Sequence, residues 1–187
     1  MSLEREARIE MALQRASGGD SQAFAEIVRE HQAMVFSIGW HFLGDWALAE
    51  DLAQEVFLEL HQGLSAIHSA AHLAHWLRRV AVHRSIDRGR RKKIRQEVAL
   101  EEISEPTARA AHPDAFLSER LRQVVGKLPE KQRMVVVLRY QEDLGPAEIA
   151  ELLEIPVNTV KSTLHRALEE LREELARRLK EVRYAFF

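Results

Sequence analysis

Residues 144–175, LGPAEIAELLEIPVNTVKSTLHRALEELREEL, constrain this chain more than any other stretch. Gly145-Pro146 open a short segment in which Ile149, Ala150 and Leu153 fall at packing spacing. Pro156 then suits the first position of a new helix, where a missing N–H loses no partner. The pattern predicts a short helix over 146–153, a tight turn and a longer helix over 157–181. That is the layout of a helix-turn-helix, which presents its second helix to the DNA major groove. At about 100° per residue, Val157, Val160, Leu164, Ala167, Leu168, Leu171 and Leu175 share one stripe. Asn158, Thr159, Ser162, His165 and Arg166 fall opposite, with Lys161 at the edge. These are short hydrogen-bonders and cations, the groups that base edges and phosphates require. From Glu169 to Glu174 the outer face turns acidic, so only about the first three turns suit DNA. An ordinary amphipathic helix would explain the second helix alone; the helix and turn before it favour DNA binding.

The rest of the chain follows the same period. Strand alternation is absent, and Gly and Pro number only 8 and 5 in 187 residues. Further helices are expected at 3–17, 21–43, 46–62, 71–95, 115–126 and 130–141. Gly18-Gly19-Asp20 and Gly44-Asp45 separate the first three, each supplying a breaker and an N-cap. Residues 97–114, EVALEEISEPTARAAHPD, hold two prolines, are acidic and lack a sustained apolar stripe. They predict a flexible linker. The expected fold is all-α: two small helical domains, 1–96 and 115–187, the second containing the helix-turn-helix.

Composition excludes several classes. Apolar residues at 46% support a core, and no run approaches the length of a membrane span. The amphipathic, charged N-terminus has no signal-peptide core, so a cytoplasmic protein is expected. With no cysteine, disulfides and thiolate metal sites are excluded. His68, His72 and His75 have helical spacing, but no carboxylate lies between Glu59 and Asp87. They read as polar loop and surface histidines, and neither a metal nor a cofactor is expected.

The net charge of −2 conceals segregation. Residues 1–60 carry four Lys/Arg against eleven Asp/Glu, and residues 61–96 carry nine against one. An acidic block suits a basic partner and a basic block a polyanion. In WALAEDLAQEVFLELHQ (46–62), Leu48, Ala49, Leu52, Ala53, Val56 and Leu60 form the packing side. Glu50, Asp51, Gln54 and Glu55 lie opposite with Leu58 among them, which fits either a small docking hot spot or a solvated face with one stray leucine. In the next helix Trp76, Val80, His83 and Asp87 share a strip among Arg78, Arg79, Arg84, Arg88, Arg90 and Arg91. Cations beside an aromatic suit melting or single-stranded nucleic acid; a buried core tryptophan is the plainer alternative.

Four segments in order carry a family resemblance: AEDLAQEVFLEL (49–60), HWLRRVAVHRSIDRGRRK (75–92), LPEKQRMVVVLRYQEDLGPAEIAELL (128–153) and PVNTVKSTLHRALEELR (156–172). Together they resemble bacterial sigma factors of the sigma-70 family, in the extracytoplasmic-function class. The resemblance implies a non-enzymatic subunit that binds core RNA polymerase and directs promoter-specific initiation. It assigns Asp51, Gln54, Glu55 and Leu58 to docking on the β′ clamp helices, with the β flap as a second polymerase contact. It assigns His72, His75, Trp76, Arg78, Arg79, His83, Arg84, Asp87, Arg88 and Arg91 to reading and melting the −10 element. It assigns Asn158, Thr159, Lys161, Ser162, Thr163, His165 and Arg166 to the −35 element. It also implies an anti-sigma factor as a partner.

Three positions depart from the family pattern. His83 stands where many members have Asn, and Thr163 where Arg is frequent. Glu154 occupies the tight turn where Gly is usual, a place that often needs positive φ. Rival readings are a self-sufficient helix-turn-helix regulator, a histidine-metal enzyme and a pure interaction protein. The first would normally need a dimer seam, and no sustained heptad seam occurs.

Overall fold

The computed structural model of the chain describes residues 3–98 and 121–185. Its elements are α1 (Leu3–Ser17), α2 (Ser21–Leu43), α3 (Trp46–Gly63), a 3-10 turn (Leu64–Ala66) and α4 (Ala70–Val98). A helical stretch at 121–126 (α5) precedes α6 (Glu130–Tyr140), α7 (Pro146–Leu153) and α8 (Val157–Ala185). Among the described residues there is no strand, and the fold is the expected all-α one. Helix α4 runs to Val98, so the first two residues of the expected linker are helical. Residues 99–114 of that linker, and 115–120 of the helix expected after it, lie outside the described residues.

The chain divides into two compact units, Met1–Ser85 and Ile86–Phe187. In the first, the helix ends are set by local chemistry. The Asp20 carboxylate accepts from the backbone N–H groups of Gln22 at 2.9 Å and Ala23 at 3.1 Å. It also pairs with Arg15 at 2.7 Å, so one side chain closes the α1–α2 turn and starts α2. Gly44 ends α2 in the left-handed region at φ 65, its N–H donating to the Trp40 carbonyl. Asp45 then caps α3 by accepting from Leu48 N–H at 3.2 Å; such caps contribute about 1 kcal/mol each.

Apolar stripes of these helices meet in one core. Ile27, Val35, Ile38 and Phe42 of α2 are buried with Leu52, Val56 and Leu60 of α3 and Leu73 and Leu77 of α4. Helix α1 adds Ile9, Ala12 and Leu13. Gly39 lets α2 approach α3 closely: a β-carbon there would sit 3.4 Å from the Ala49 Cα and from Leu52 Cδ2.

In the second unit α6, α7 and α8 pack on one another. Val124, Leu128, Val136, Ala167 and Leu171 form one buried cluster, flanked by Val125, Leu164 and Leu168. Met134, Leu138, Ile149 and Val160 are fully covered. The expected α8 stripe holds in its middle and fades at its ends, where Val157 and Leu175 are each 38% exposed. In α7, Leu152 takes the buried place and Leu153 is half-buried. Helix α7 is covered by both α6 and α8, which widens its buried sector beyond the single stripe read from spacing.

Candidate functional site

Helix α3 buries Ala49, Leu52, Val56, Phe57 and Leu60. That orientation turns Glu50, Asp51, Gln54, Glu55 and Leu58 outward, all exposed. Leu58 is 60% exposed, an apolar side chain set among three carboxylates and an amide. Sequence reasoning missed an adjoining feature. Trp46, 52% exposed at the start of α3, lies 4.6 Å from the Phe36 ring and 5.5 Å from that of Trp40, centroid to centroid. Its signal was the pair of tryptophans flanking the Gly44 turn.

Helix α4 begins beside Ser69, whose hydroxyl oxygen accepts from His72 N–H at 3.1 Å. The His68 and His72 rings lie 5.8 Å apart. The core side of α4 carries Leu73, Leu77, Ala81 and Ser85. Away from it, His72, Arg79, His83, Asp87 and Arg91 are exposed, while His75, Trp76, Arg78, Arg84 and Arg88 are half-buried. Trp76 is therefore neither fully buried nor fully exposed.

Arg84 stands apart from this group. Its Nε donates to Glu59 Oε2 at 3.0 Å, and its Nη1 to Glu55 Oε2 at 3.0 Å. A further Nη2 contact reaches Glu59. The hydrogen bond to Glu59, with the charge of both carboxylates, pushes the Arg84 guanidinium pKa up. Arg84 is thus tied to α3.

In the second unit the helix-turn-helix is closed by backbone bonds. The Glu148 carboxylate accepts from Gly145 N–H at 2.7 Å and holds the start of α7. Glu154 ends α7 at φ 55, ψ 42, in the left-handed region. Glu154 N–H reaches the Glu151 carbonyl at 3.3 Å and Ile155 N–H that of Ala150 at 3.0 Å, the paired bonds of a Schellman motif. The turn thus has the positive φ expected of it, carried by a non-glycine residue. On α8, Asn158, Thr159, Lys161, His165 and Arg166 are exposed, and Ser162 and Thr163 half-buried. Ser162 Oγ donates to the Thr159 carbonyl at 3.1 Å, and His165 Nε2 lies 3.2 Å from Glu169 Oε1.

Among the described residues no group of three or more histidines and carboxylates is placed to hold a metal ion. No described helix is long and apolar enough to cross a membrane.

Two family models match: "Sigma-70 region 2" over residues 27–94 and "Sigma-70, region 4" over residues 118–171. The ECF RNA polymerase sigma factor SigW of Bacillus subtilis (strain 168) is 36% identical over 183 residues, 91% of this chain and 98% of that protein. The RNA polymerase sigma-E factor of Streptomyces coelicolor is 35% identical over 163 residues, 86% of this chain and 90% of that protein. Among solved structures, CnrH in complex with the cytosolic domain of CnrY covers 90% of this chain and 97% of its own, with TM-score 0.67 at 21% identity. The sigma factor RpoE from Bartonella quintana, solved with the anti-sigma factor NepR, covers 82% of this chain and 96% of its own, with TM-score 0.69 at 17% identity. Those two structures share the fold, while the matches along the sequence reach both units. The chain belongs to the sigma-70 family of RNA polymerase sigma factors, in its ECF class.

Proposed function

We propose that the chain is a promoter-specificity subunit whose two domains, 1–96 and 115–187, act through separate surfaces joined by a tether at 97–114. Asp51, Gln54, Glu55 and Leu58 on α3 dock on the clamp helices of the polymerase β′ subunit, and the second domain rests on the β flap. His72, His75, Trp76, Arg78, Arg79, His83, Asp87, Arg88 and Arg91 read and open the −10 element. Asn158, Thr159, Lys161, Ser162, Thr163, His165 and Arg166 read the −35 element.

The chemistry of each surface supports its role. A leucine among acids fits a basic partner with one apolar contact. A partly exposed tryptophan beside arginines offers stacking and phosphate neutralisation together. The short polar side chains and cations at the start of α8 suit groove edges and phosphates. The chain works where core polymerase is, in the cytoplasm, and performs no covalent chemistry itself. An anti-sigma factor is proposed as a further partner, because a solved structure sharing this fold pairs a sigma factor with one.

The observation that carries the reading is the match to SigW over 98% of that protein's length, which spans both surfaces in order. Tethering two weak readers gives avidity and fixes promoter spacing. The test is run-off transcription with core polymerase on a genomic fragment library. Promoter-specific transcripts are expected. Their absence, where a known sigma factor works, overturns the reading.

A further inference from the structure

The arginine bridge between α3 and α4 assigns Arg84 a different task from the cations around it. Glu55 and Glu59 are four residues apart on one face of α3, a like-charge spacing that weakens a helix. Arg84 reaches both from α4, with two hydrogen bonds to Glu59 and one to Glu55. Nε and Nη2 converge on one oxygen of Glu59, Oε2, while Nη1 takes Glu55 Oε2, a spread of donors from one planar group that a lysine could not match in geometry. Glu55 is exposed at the docking face, and the next residue along α4 from Arg84 is half-way round toward the core: Ser85 is fully buried, whereas His83 before it is exposed. Arg84 therefore sits at the joint between the two helices, on the flank of α4 that meets α3.

We propose that Arg84 is a positioning residue that holds the promoter-reading face of α4 in fixed register with the docking face of α3, through Glu59 and Glu55, and is not itself a promoter contact. This rests on the docking and promoter surfaces proposed above. Polymerase holds α3, and the bridge transmits that placement to Trp76 and His83 on α4. Glu59 becomes part of promoter opening although it faces neither polymerase nor DNA in the assigned sets.

The test is a double-mutant cycle in the full chain, reconstituted with core polymerase at a promoter found by run-off transcription. The variants are Arg84→Ala, Arg84→Lys, Glu59→Gln and the Arg84→Ala/Glu59→Gln pair. Arg84→Ala and Glu59→Gln should each lower open-complex formation by a similar factor, between about twofold and about tenfold, and the pair should lower it no further. Arg84→Lys should recover part of the loss. Affinity for core should stay within about twofold, and the slope of promoter affinity against salt should not change, because no phosphate contact is removed. A slope reduced by about 0.9 in Arg84→Ala, with Glu59→Gln at wild-type level, would mark a phosphate contact and overturn the proposal. Losses that multiply in the pair would overturn it equally. Failure of the wild-type chain to direct transcription would instead strike the functional reading. The joint is then judged by thermal melts of the free chain, where additive losses in the same four variants refute it.

Discussion

The backbone N–H of Ile155 reaches back 3.0 Å to the carbonyl of Ala150, and the chain passes between them through Glu154 at φ 55. A side chain with a β-carbon costs about 1–2 kcal/mol in that region, and glycine's greater freedom when unfolded offsets part of any relief. Glu154→Gly should therefore stabilise the second unit by about 0.5 kcal/mol, raising its melting temperature by about 2–4 °C. Glu154→Val should lower it, because a β-branched residue tolerates positive φ least. Thermal unfolding followed by circular dichroism checks both.

Arg166 is exposed on α8 and points away from the buried line of Val160, Ala167 and Leu171. Arg166→Ala should leave folding and core affinity unchanged and weaken −35-dependent initiation by about 1–3 kcal/mol. Transcription from a promoter with and without its −35 element measures this. Equal loss on both templates would remove Arg166 from the −35 set.

The docking face can be stripped without touching the core, because Gln54, Glu55 and Leu58 are all exposed. Gln54→Ala with Glu55→Ala, and separately Leu58→Ala, should each weaken core polymerase binding by about 2 kcal/mol, the size of an interface hot spot. The helical signal should be unchanged for both. Wild-type affinity in a pull-down titration would refute the docking assignment.

His31 on α2 is 5% exposed, and its Nε2 has no hydrogen-bond partner among the described residues. Burial lowers its pKa, and the nearby cations Arg5 and Arg78 act in the same direction, against the opposing charge of Glu30. The folded state thus resists a proton that the unfolded chain accepts below about pH 6.5. Stability from this group is full above that pH and falls as the pH drops below it, until the depressed folded value is reached. Asp20 and Glu30, also depressed, lose their contributions only in the carboxylate range. His31→Leu should flatten the stability curve in the range just below about pH 6.5. Urea unfolding across that range tests it, and an unchanged slope would exclude His31 as the cause.

Much of this molecule is legible in its residues because its signals are local. Asp20, Gly44 and Asp45 mark helix ends through local side-chain or backbone bonds, so the first three helices begin where spacing places them. The positive φ at Glu154 follows from the shape of the turn. What spacing misses depends on neighbours distant in sequence. Leu152 is buried because α7 has cover on two sides. Trp46 joins Phe36 and Trp40 only once α2 and α3 fold against each other. Arg84 looks like one more cation in a basic run, and its carboxylates lie 25 and 29 residues earlier.

Helix α4 is unbroken from Ala70 to Val98. Trp76 and His83 are separated by about 10 Å along its axis at 1.5 Å per residue, close to the length of three base steps stacked at about 3.4 Å. An uninterrupted helix works as a ruler. Its marks cannot slide apart, so on the proposed reading the −10 element is gauged by length as well as by letter. A promoter with one base inserted between the positions met by Trp76 and His83 should therefore open more poorly, however well each half matched.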